Sequence, residues 1–410
     1  MGEHQGMWAK AWRRAGVRWG TGLVVAFVLL GVYSPFIANE LALVWWDAKG
    51  LSFPVLGDLL NRWSYPKYYD IYFNAAAVLL PFLLIGGWLL RRRWSLVRRI
   101  VAGALVVIAA GTVCLLPIIP PRSAVSSESN ISASGDWQAI WRYRQQSQAL
   151  ITEDHAKAMT IFAPVPFRAM TPIASQILKS PGSVDQTSGR RFWLGTDSAG
   201  KDVAAQMLAG ARISLTVGLV ATGLSLLIGT LLGAMSGYLG GWVDLLIQRL
   251  VEIMMCFPTF ILILVVVAMT GRDIFVIMVV IGLTGWAGTA RLVRGEFLAQ
   301  SVRDYVAAGQ ALGLGSLRIM FRHILPNALT PLLITATFGI AGAVGSESAL
   351  SFVGLGDPTV ASWGMLLEQG RQNISYAHLI WLPGMAVFVL VSALNLIGNG
   401  LREAADAASE

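Results

Sequence analysis

Charge is scarce in this chain, and so are the residues that most often carry chemistry. Only 13% of its 410 residues are Asp, Glu, Lys or Arg, whereas 55% are hydrophobic and the mean hydropathy is +0.62. One soluble core cannot bury that much apolar surface, so the composition selects a bilayer as solvent. Cysteine is nearly absent. Cys114 and Cys256 both sit in apolar stretches, form no CxxC pair or metal-ligand spacing, and read as buried packing residues. The four histidines, His4, His155, His323 and His378, are scattered, and neither HExxH nor the nucleophile elbow GxSxG occurs. These absences argue against a metal, a resident cofactor and a catalytic site, so the chain reads as a non-enzyme.

What is present is a series of long apolar blocks. About 20 apolar residues cross ~30 Å of hydrocarbon, and eight blocks qualify: 19–38, 71–90, 100–119, 214–238, 253–270, 274–293, 328–350 and 377–398. The fold expected is therefore an all-α integral membrane bundle of about eight transmembrane spans. Its first block is too long for a signal peptide and lacks a small-residue cleavage site, so it reads as a retained anchor.

The net charge of +8 lies beside the apolar blocks rather than along a polar face, which fits membrane topology better than nucleic acid. Lys10, Arg13, Arg14 and Arg18 place the N-terminus inside, and Arg91, Arg92, Arg93, Arg98 and Arg99 place the link between the second and third spans inside. Counting on, 294–326 is also inside, with Arg303, Arg318 and Arg322, and an even number of spans returns the C-terminus to that side. The domains expected are 1–120 with three spans, an extracytoplasmic segment 121–210 rich in Ser, Pro, Gln and Asp, 211–402 with five spans, and a tail 403–410. No tandem repeat is visible.

Gly229, Gly233 and Gly237 recur every four residues, and Gly282, Gly285 and Gly288 follow a similar rhythm. Small residues let helices approach closely in lipid, within a bundle or against a second subunit, although glycine is also simply common in membrane helices. Gly195-Thr-Asp-Ser-Ala-Gly200-Lys201-Asp202 nearly matches a phosphate-binding loop. Asp202, however, stands where a hydroxyl must hold Mg²⁺, no hydrophobic strand precedes it, and it falls on the outer face, so nucleotide binding is rejected.

The most informative stretch is the inside loop 301–326, which reads as two short helices. Ser301 is expected to cap the first, Gly313 and Gly315 to supply the turn, Ser316 to cap the second, and Pro326 to begin the exit. Leu317, Met320, Phe321 and Ile324 are expected to share one face and Arg318 and Arg322 another. The apolar face needs a partner, either a separate protein or the lower bundle itself.

With Ala307, Ala308, Gly309, then Gly313 and Leu325-Pro326, this loop resembles the EAA coupling loop of type I ABC importer permeases. Asp304-Tyr-Val306, Ala311-Leu-Gly313 and His323-Ile-Leu-Pro-Asn327 resemble its dipeptide and oligopeptide branch. So do Trp193-Leu-Gly-Thr-Asp197, Ala211-Arg-Ile-Ser214, Glu347-Ser-Ala-Leu-Ser-Phe-Val-Gly-Leu-Gly356, Ser362-Trp-Gly364 and Asn395-Leu-Ile-Gly-Asn-Gly-Leu-Arg402, so the likeness spans 192–406. Tyr33-Ser-Pro-Phe-Ile-Ala-Asn39 and Ala163-Pro-Val-Pro-Phe-Arg168 resemble the branch handling longer peptides and microcin C.

The resemblance implies a type I ABC transmembrane core with a cytoplasmic coupling helix-turn-helix, forming the path for peptide import driven by ATP hydrolysis on another subunit. The partners implied are a second permease subunit, cytoplasmic ATP-binding subunits, an extracytoplasmic solute-binding protein, membrane lipid and a peptide. The location implied is the bacterial inner membrane, multi-pass, with both termini cytoplasmic. The coupling residues implied are Asp304, Ala307, Ala308, Gly309, Gly313, Leu317, Arg318, Phe321 and Pro326. Glu347 reads as a gate or structural brace. Two departures stand out: Ala307 replaces the expected acidic residue, with Asp304 or Arg303 as substitutes, and a helical pair, 71–119, is inserted. A membrane scaffold docking a partner through the same loop is the alternative. A stand-alone channel or proton-driven transporter would carry more ionisable sites at midplane.

Overall fold

The computed structural model describes residues 11–47, 50–59, 64–65, 67–89, 96–115, 159–185 and 189–409. Arg91, Arg92 and Arg93, the histidines His4 and His155, and residues 121–158 of the expected segment 121–210 lie outside them. In chain order the elements are α1 (Ala15–Ile37), β1 (Ala42–Asp47), β2 (Gly50–Ser52), α2 (Pro54–Asp58), α3 (Tyr68–Leu89), α4 (Leu96–Leu115) and β3 (Met159–Phe162). They continue as α5 (Val203–Leu239), α6 (Gly241–Cys256), α7 (Thr259–Thr270), α8 (Ile274–Ser301), α9 (Asp304–Ala311) and α10 (Ser316–Arg318), which runs into a π-helical turn, Ile319–Ile324. The last are α11 (Leu329–Leu350) with a π-helical turn Ser351–Leu355, α12 (Trp363–Gln372) and α13 (His378–Ser409).

Among the described residues, six helices are long and apolar enough to cross a membrane: α1, α3, α5, α8, α11 and α13. The block 253–270 is not a straight span. It falls on α6 and α7, which bend by 84° about Phe257-Pro258 and together have the length and apolarity of a broken span or a re-entrant hairpin. Asp244, Arg249 and Glu252 interrupt the apolar run of α6, so only its end joined the block. The block 100–119 falls on α4, whose apolar stretch among the described residues is Val101–Cys114. The cysteines correct the sequence reading: Cys256 is exposed and Cys114 half-buried. In lipid an apolar side chain needs no protein cover, which removes the reason for burial.

The chain divides into two compact units, one of Leu29–Arg212 and one of Ile213–Glu410 with the N-terminal residues to Val28. The first contains a three-stranded antiparallel sheet, order β2-β1-β3, with Trp46 opposite Leu51 and Ala42 opposite Phe162. Two peptide stretches far apart in sequence meet beside it. Val165 donates its amide to the Ile37 carbonyl at 2.9 Å and accepts from Asn39 at 3.1 Å. Arg168 is buried there, ion-paired with Glu40 at 3.2 Å and with Asp58, and its Nε donates to the Asn39 side chain at 3.3 Å. The two carboxylates hold its guanidinium firmly charged despite burial.

In the same unit, a proline in α1 creates a vacancy that a distant arginine fills. Pro35 has no amide hydrogen, so the Gly31 carbonyl one turn earlier loses its helical donor. Arg212 Nε donates to that oxygen at 2.6 Å and Nη2 to the Val32 carbonyl at 3.3 Å. Its other donors reach α3, Nη1 to Asp70 at 3.2 Å and Nη2 to Asn74 Oδ1 at 2.8 Å. Asn74 passes the link on to the Leu59 carbonyl at 2.6 Å. Helix α3 is therefore tied to α1 and α5 by one guanidinium.

The loop 195–202 is explained by packing. A Cβ on Gly195 would lie 2.4 Å from the Lys179 carbonyl oxygen and one on Gly200 2.2 Å from that of Ile173. Buried Asp197 accepts from the amides of Ala199 and Lys201, both at 2.8 Å, and from Gln206 at 2.8 Å. Asp202 accepts from the Ala205 amide at 2.6 Å, capping α5, while its Oδ2 has no hydrogen-bond partner among the described residues. Burial, reinforced by the charge of Asp197 and opposed by the amides of Ala205 and Ala204, pushes this carboxyl up to about 7. The folded chain thus keeps a proton that the unfolded chain has lost, and stability falls as pH rises from the usual carboxylate range through about 7. Asp202→Asn retains the capping oxygen and removes the charge. It is expected to raise the melting temperature in detergent clearly at about pH 8 and much less at about pH 5; equal shifts at both would refute this assignment.

In the second unit the glycines every four residues are contact points between α5 and α8. A Cβ on Gly229 would come 2.5 Å from Thr289 Cβ, on Gly233 2.5 Å from the Ala290 carbonyl oxygen, and on Gly237 2.7 Å from that of Arg294. The stripe is consumed within the chain, as close-packed membrane helices require. Gly282 and Gly285 of α8 meet Leu224 and Ser225 of α5, but among the described residues nothing comes within 4 Å of where a Cβ on Gly288 would be.

Candidate functional site

The loop 301–326 is a helix-turn-helix, and its details depart from the expected capping. Ser301 ends α8, donating to the Leu298 carbonyl, and the residue flanking α9 is Arg303, with no side-chain cap. Likewise Gly315, not Ser316, precedes α10. Both serines sit one or two positions from the extended residue whose geometry capping requires.

The turn rests on Gly313 alone. It has φ +73°, whereas Gly315 has an ordinary −64°. Gly313 donates to the Gln310 carbonyl at 2.9 Å and Leu314 to that of Gly309 at 3.1 Å, the paired bonds of a Schellman ending to α9. Gly309 is buried, with Leu314 and Ile319 within 3.5 and 3.8 Å of where a Cβ would be.

The expected apolar stripe is split. Met320 and Ile324 are buried with Ile319, whereas Leu317 is 70% and Phe321 39% exposed. The cause is the π-helical turn, in which Leu325 donates to Met320 five residues back at 2.8 Å and the side-chain register rotates. The buried residues join Val306, Ala328 and Leu332 in a core with Ala234, Val293 and Phe297 of α5 and α8. The loop is therefore welded to the lower helices by one face. Its other face presents Asp304, Ala307, Ala308, Leu312, Gly313, Leu317, Arg318, Phe321 and Pro326, all exposed. Of the coupling residues named from sequence only Gly309 turns inward, and Leu312, 80% exposed beside Gly313, is not among them.

Glu347 is 1% exposed in α11. Ser351 donates to it at 2.8 Å and Ser348 at 3.5 Å, and Ser362, which caps α12 by accepting from the Met365 amide at 3.2 Å, also hydrogen-bonds it. A Cβ on Gly364 would sit 2.6 Å from Ser351 Cβ, and one on Gly356 2.3 Å from Ser351 Oγ. The carboxylate thus joins two helices inside a knot of small residues. Asp357 follows, accepting from the Ile274 amide that opens α8 at 3.1 Å. Among the described residues no cluster of three or more His, Cys, Asp or Glu side chains forms a metal site.

Residues 229–408 match the family model described as "Binding-protein-dependent transport system inner membrane component". The chain is 32% identical to the dipeptide transport system permease protein of Alkalihalophilus pseudofirmus over 71% of this chain and 96% of that protein. It is 34% identical to the oligopeptide transport system permease protein of Bacillus subtilis over 60% of this chain and 80% of that one. It is also 38% identical to the peptidoglycan transport system permease protein of Agrobacterium fabrum, over 54% and 58% respectively.

Proposed function

The chain belongs to the family of binding-protein-dependent transport system inner membrane components, and on that footing we propose that it is the permease subunit of an ABC importer for peptides. The observation that carries this reading is the coupling loop, whose apolar inner face is fused to the bundle and whose outer face is exposed. An exposed Leu312, Leu317 and Phe321 on a short helix pair has the chemistry of a docking surface for an ATP-binding subunit. Asp304 and Arg303, both exposed, supply charge at the position where Ala307 has none. The dipeptide, oligopeptide and peptidoglycan relatives support peptides as the substrate class.

In this reading the chain does no covalent chemistry. ATP binding closes the ATP-binding subunits, the loop moves with them, and the bundle changes between outward-facing and inward-facing states because its contacts differ between the two. A second permease completes the pore and an extracytoplasmic binding protein delivers the peptide. The chain lies in the bacterial inner membrane with both termini and the loop cytoplasmic. Its working regions are the membrane segment 1–120, the extracytoplasmic segment 121–210, the core 211–402 and the tail 403–410. Glu347 braces the outer ends of α11 and α12.

The docking assignment is checked with Leu317→Glu, which places charge in a surface meant to be desolvated and leaves the inner face untouched. Co-purification of the ATP-binding subunit should fall at least about tenfold, the loss that ~1.4 kcal/mol produces, while the second permease stays bound. Undiminished recovery of the ATP-binding subunit would place docking elsewhere.

A further inference from the structure

One ion pair near the coupling loop has no place in the docking surface. Arg294 of α8 grips Asp244 of α6 with both carboxylate oxygens, Nε to Oδ1 at 2.6 Å and Nη2 to Oδ2 at 2.7 Å. Such a two-point contact fixes orientation as well as distance, which a single lysine-type contact does not. Both side chains are partly buried, at 31% and 22% exposure. The pair joins the bent pair of helices α6–α7 to the helix that leads directly into the coupling loop.

Three consecutive residues at the end of α5 complete the connection. Ser236 donates to Asp244 Oδ1 at 2.5 Å and accepts from Gln248 at 3.0 Å. Gly237 has no side chain to hold the Arg294 backbone away. Tyr238 packs on the loop's buried core, and its hydroxyl accepts from Gln310 of α9 at 3.4 Å. The same turn of α5 therefore touches the coupling loop on one side and the Asp244–Arg294 pair on the other. Along the same face, α6 rests on α8 through Ile247 and Val251 against Trp286, Ala287 and Ala290. Those contacts are apolar and in lipid hold by van der Waals packing. The bidentate pair adds a directional contact at the loop end of the same seam.

We propose that Asp244 and Arg294 are positioning residues for transport, carrying displacement of the coupling loop into the bent helix pair α6–α7. This rests on the reading of the loop as the ATPase-coupling element. The loop, α8 and the end of α5 share one core and move as a body. α6 follows because its only bidentate charged contact among the described residues is to Arg294. Without that contact the loop still docks and ATP is still hydrolysed, but α6–α7 is no longer set by the movement.

The test is hydrogen–deuterium exchange on the complete transporter in nanodiscs, with and without ATP plus vanadate. In the wild type, exchange should change in both 304–324 and 241–256 on trapping. In Asp244→Asn and Arg294→Gln the change in 304–324 should persist and that in 241–256 should fall several-fold, and the exchanged pair Asp244→Arg with Arg294→Asp should restore part of it, as coupled residues do. A structural role alone would lower the melting temperature without separating the two responses. If trapping leaves 304–324 of the wild type unchanged, the loop itself is misassigned. If 304–324 responds while 241–256 of the wild type is silent, or responds undiminished in the variants, the loop reading stands and this inference is overturned, whether or not every variant assembles.

Discussion

Gly313→Val is expected to reduce ATP-driven import by at least about tenfold while the helices still insert and the complex still assembles. The backbone at Gly313 has φ +73°, a region where a β-branched side chain costs roughly 1–3 kcal/mol. Among the described residues nothing lies within 4 Å of the new Cβ, so the penalty is conformational and not a clash. The strained residue relieves itself by abandoning the Schellman bonds from Gly313 to Gln310 and from Leu314 to Gly309. That loosens the angle between α9 and α10 and misplaces Leu317 and Phe321 relative to Leu312. ATP hydrolysis should continue at a rate no longer tied to import, and the ratio of peptide transported to ATP consumed is the measurement. An unchanged ratio in a fully assembled variant would mean that the loop's shape carries no mechanical information.

Arg212→Leu should have the largest effect on stability, about 3–5 kcal/mol, the range found when one partner of a buried ion pair is removed. The substitution strips the guanidinium from Asp70, from Asn74 and from the Gly31 carbonyl that Pro35 has already left without a helical donor. Asp70→Asn in the same chain should recover a substantial part of the loss, because the charge left behind is gone. Thermal unfolding in detergent of the two single variants and the double variant gives the coupling directly. Additive losses would show that Arg212 and Asp70 do not depend on one another. By the same contacts α3, which sequence alone leaves without a role, is held to Arg212.

Legibility of the sequence followed the range of the interaction involved. Apolar block length located α1, α3, α5, α8, α11 and α13, because lipid imposes one length rule on all of them. It shortened α6–α7, since the charges of Asp244, Arg249 and Glu252 hide a helix from any apolar window. The small strands β1, β2 and β3 were overlooked, each being six residues or fewer in an otherwise helical chain. Motif pieces around Asn39 and Arg168 were both visible, yet their meeting through Val165 depends on contacts more than a hundred residues apart.

The coupling loop shows the same division on a smaller scale. Its two helices and the glycine between them were readable because turn chemistry is local. Which of Leu317, Met320, Phe321 and Ile324 faces out was not, because one π-helical turn shifts the register that a 3.6-residue period assumes. For Glu347 the sequence supplied the anomaly of a carboxylate in an apolar helix, and the answer came from Ser351 and Ser362, the latter on another helix.

The most direct measurement of the central claim is uptake of radiolabelled short peptides into proteoliposomes holding this chain with its second permease and ATP-binding subunits. Uptake should require ATP inside the compartment that faces the coupling loop and a loaded binding protein on the opposite side, and should vanish when either is withheld. Assembly of the complete complex with no peptide movement under those conditions would leave only a docking scaffold, and uptake independent of ATP would contradict the coupling loop's role altogether.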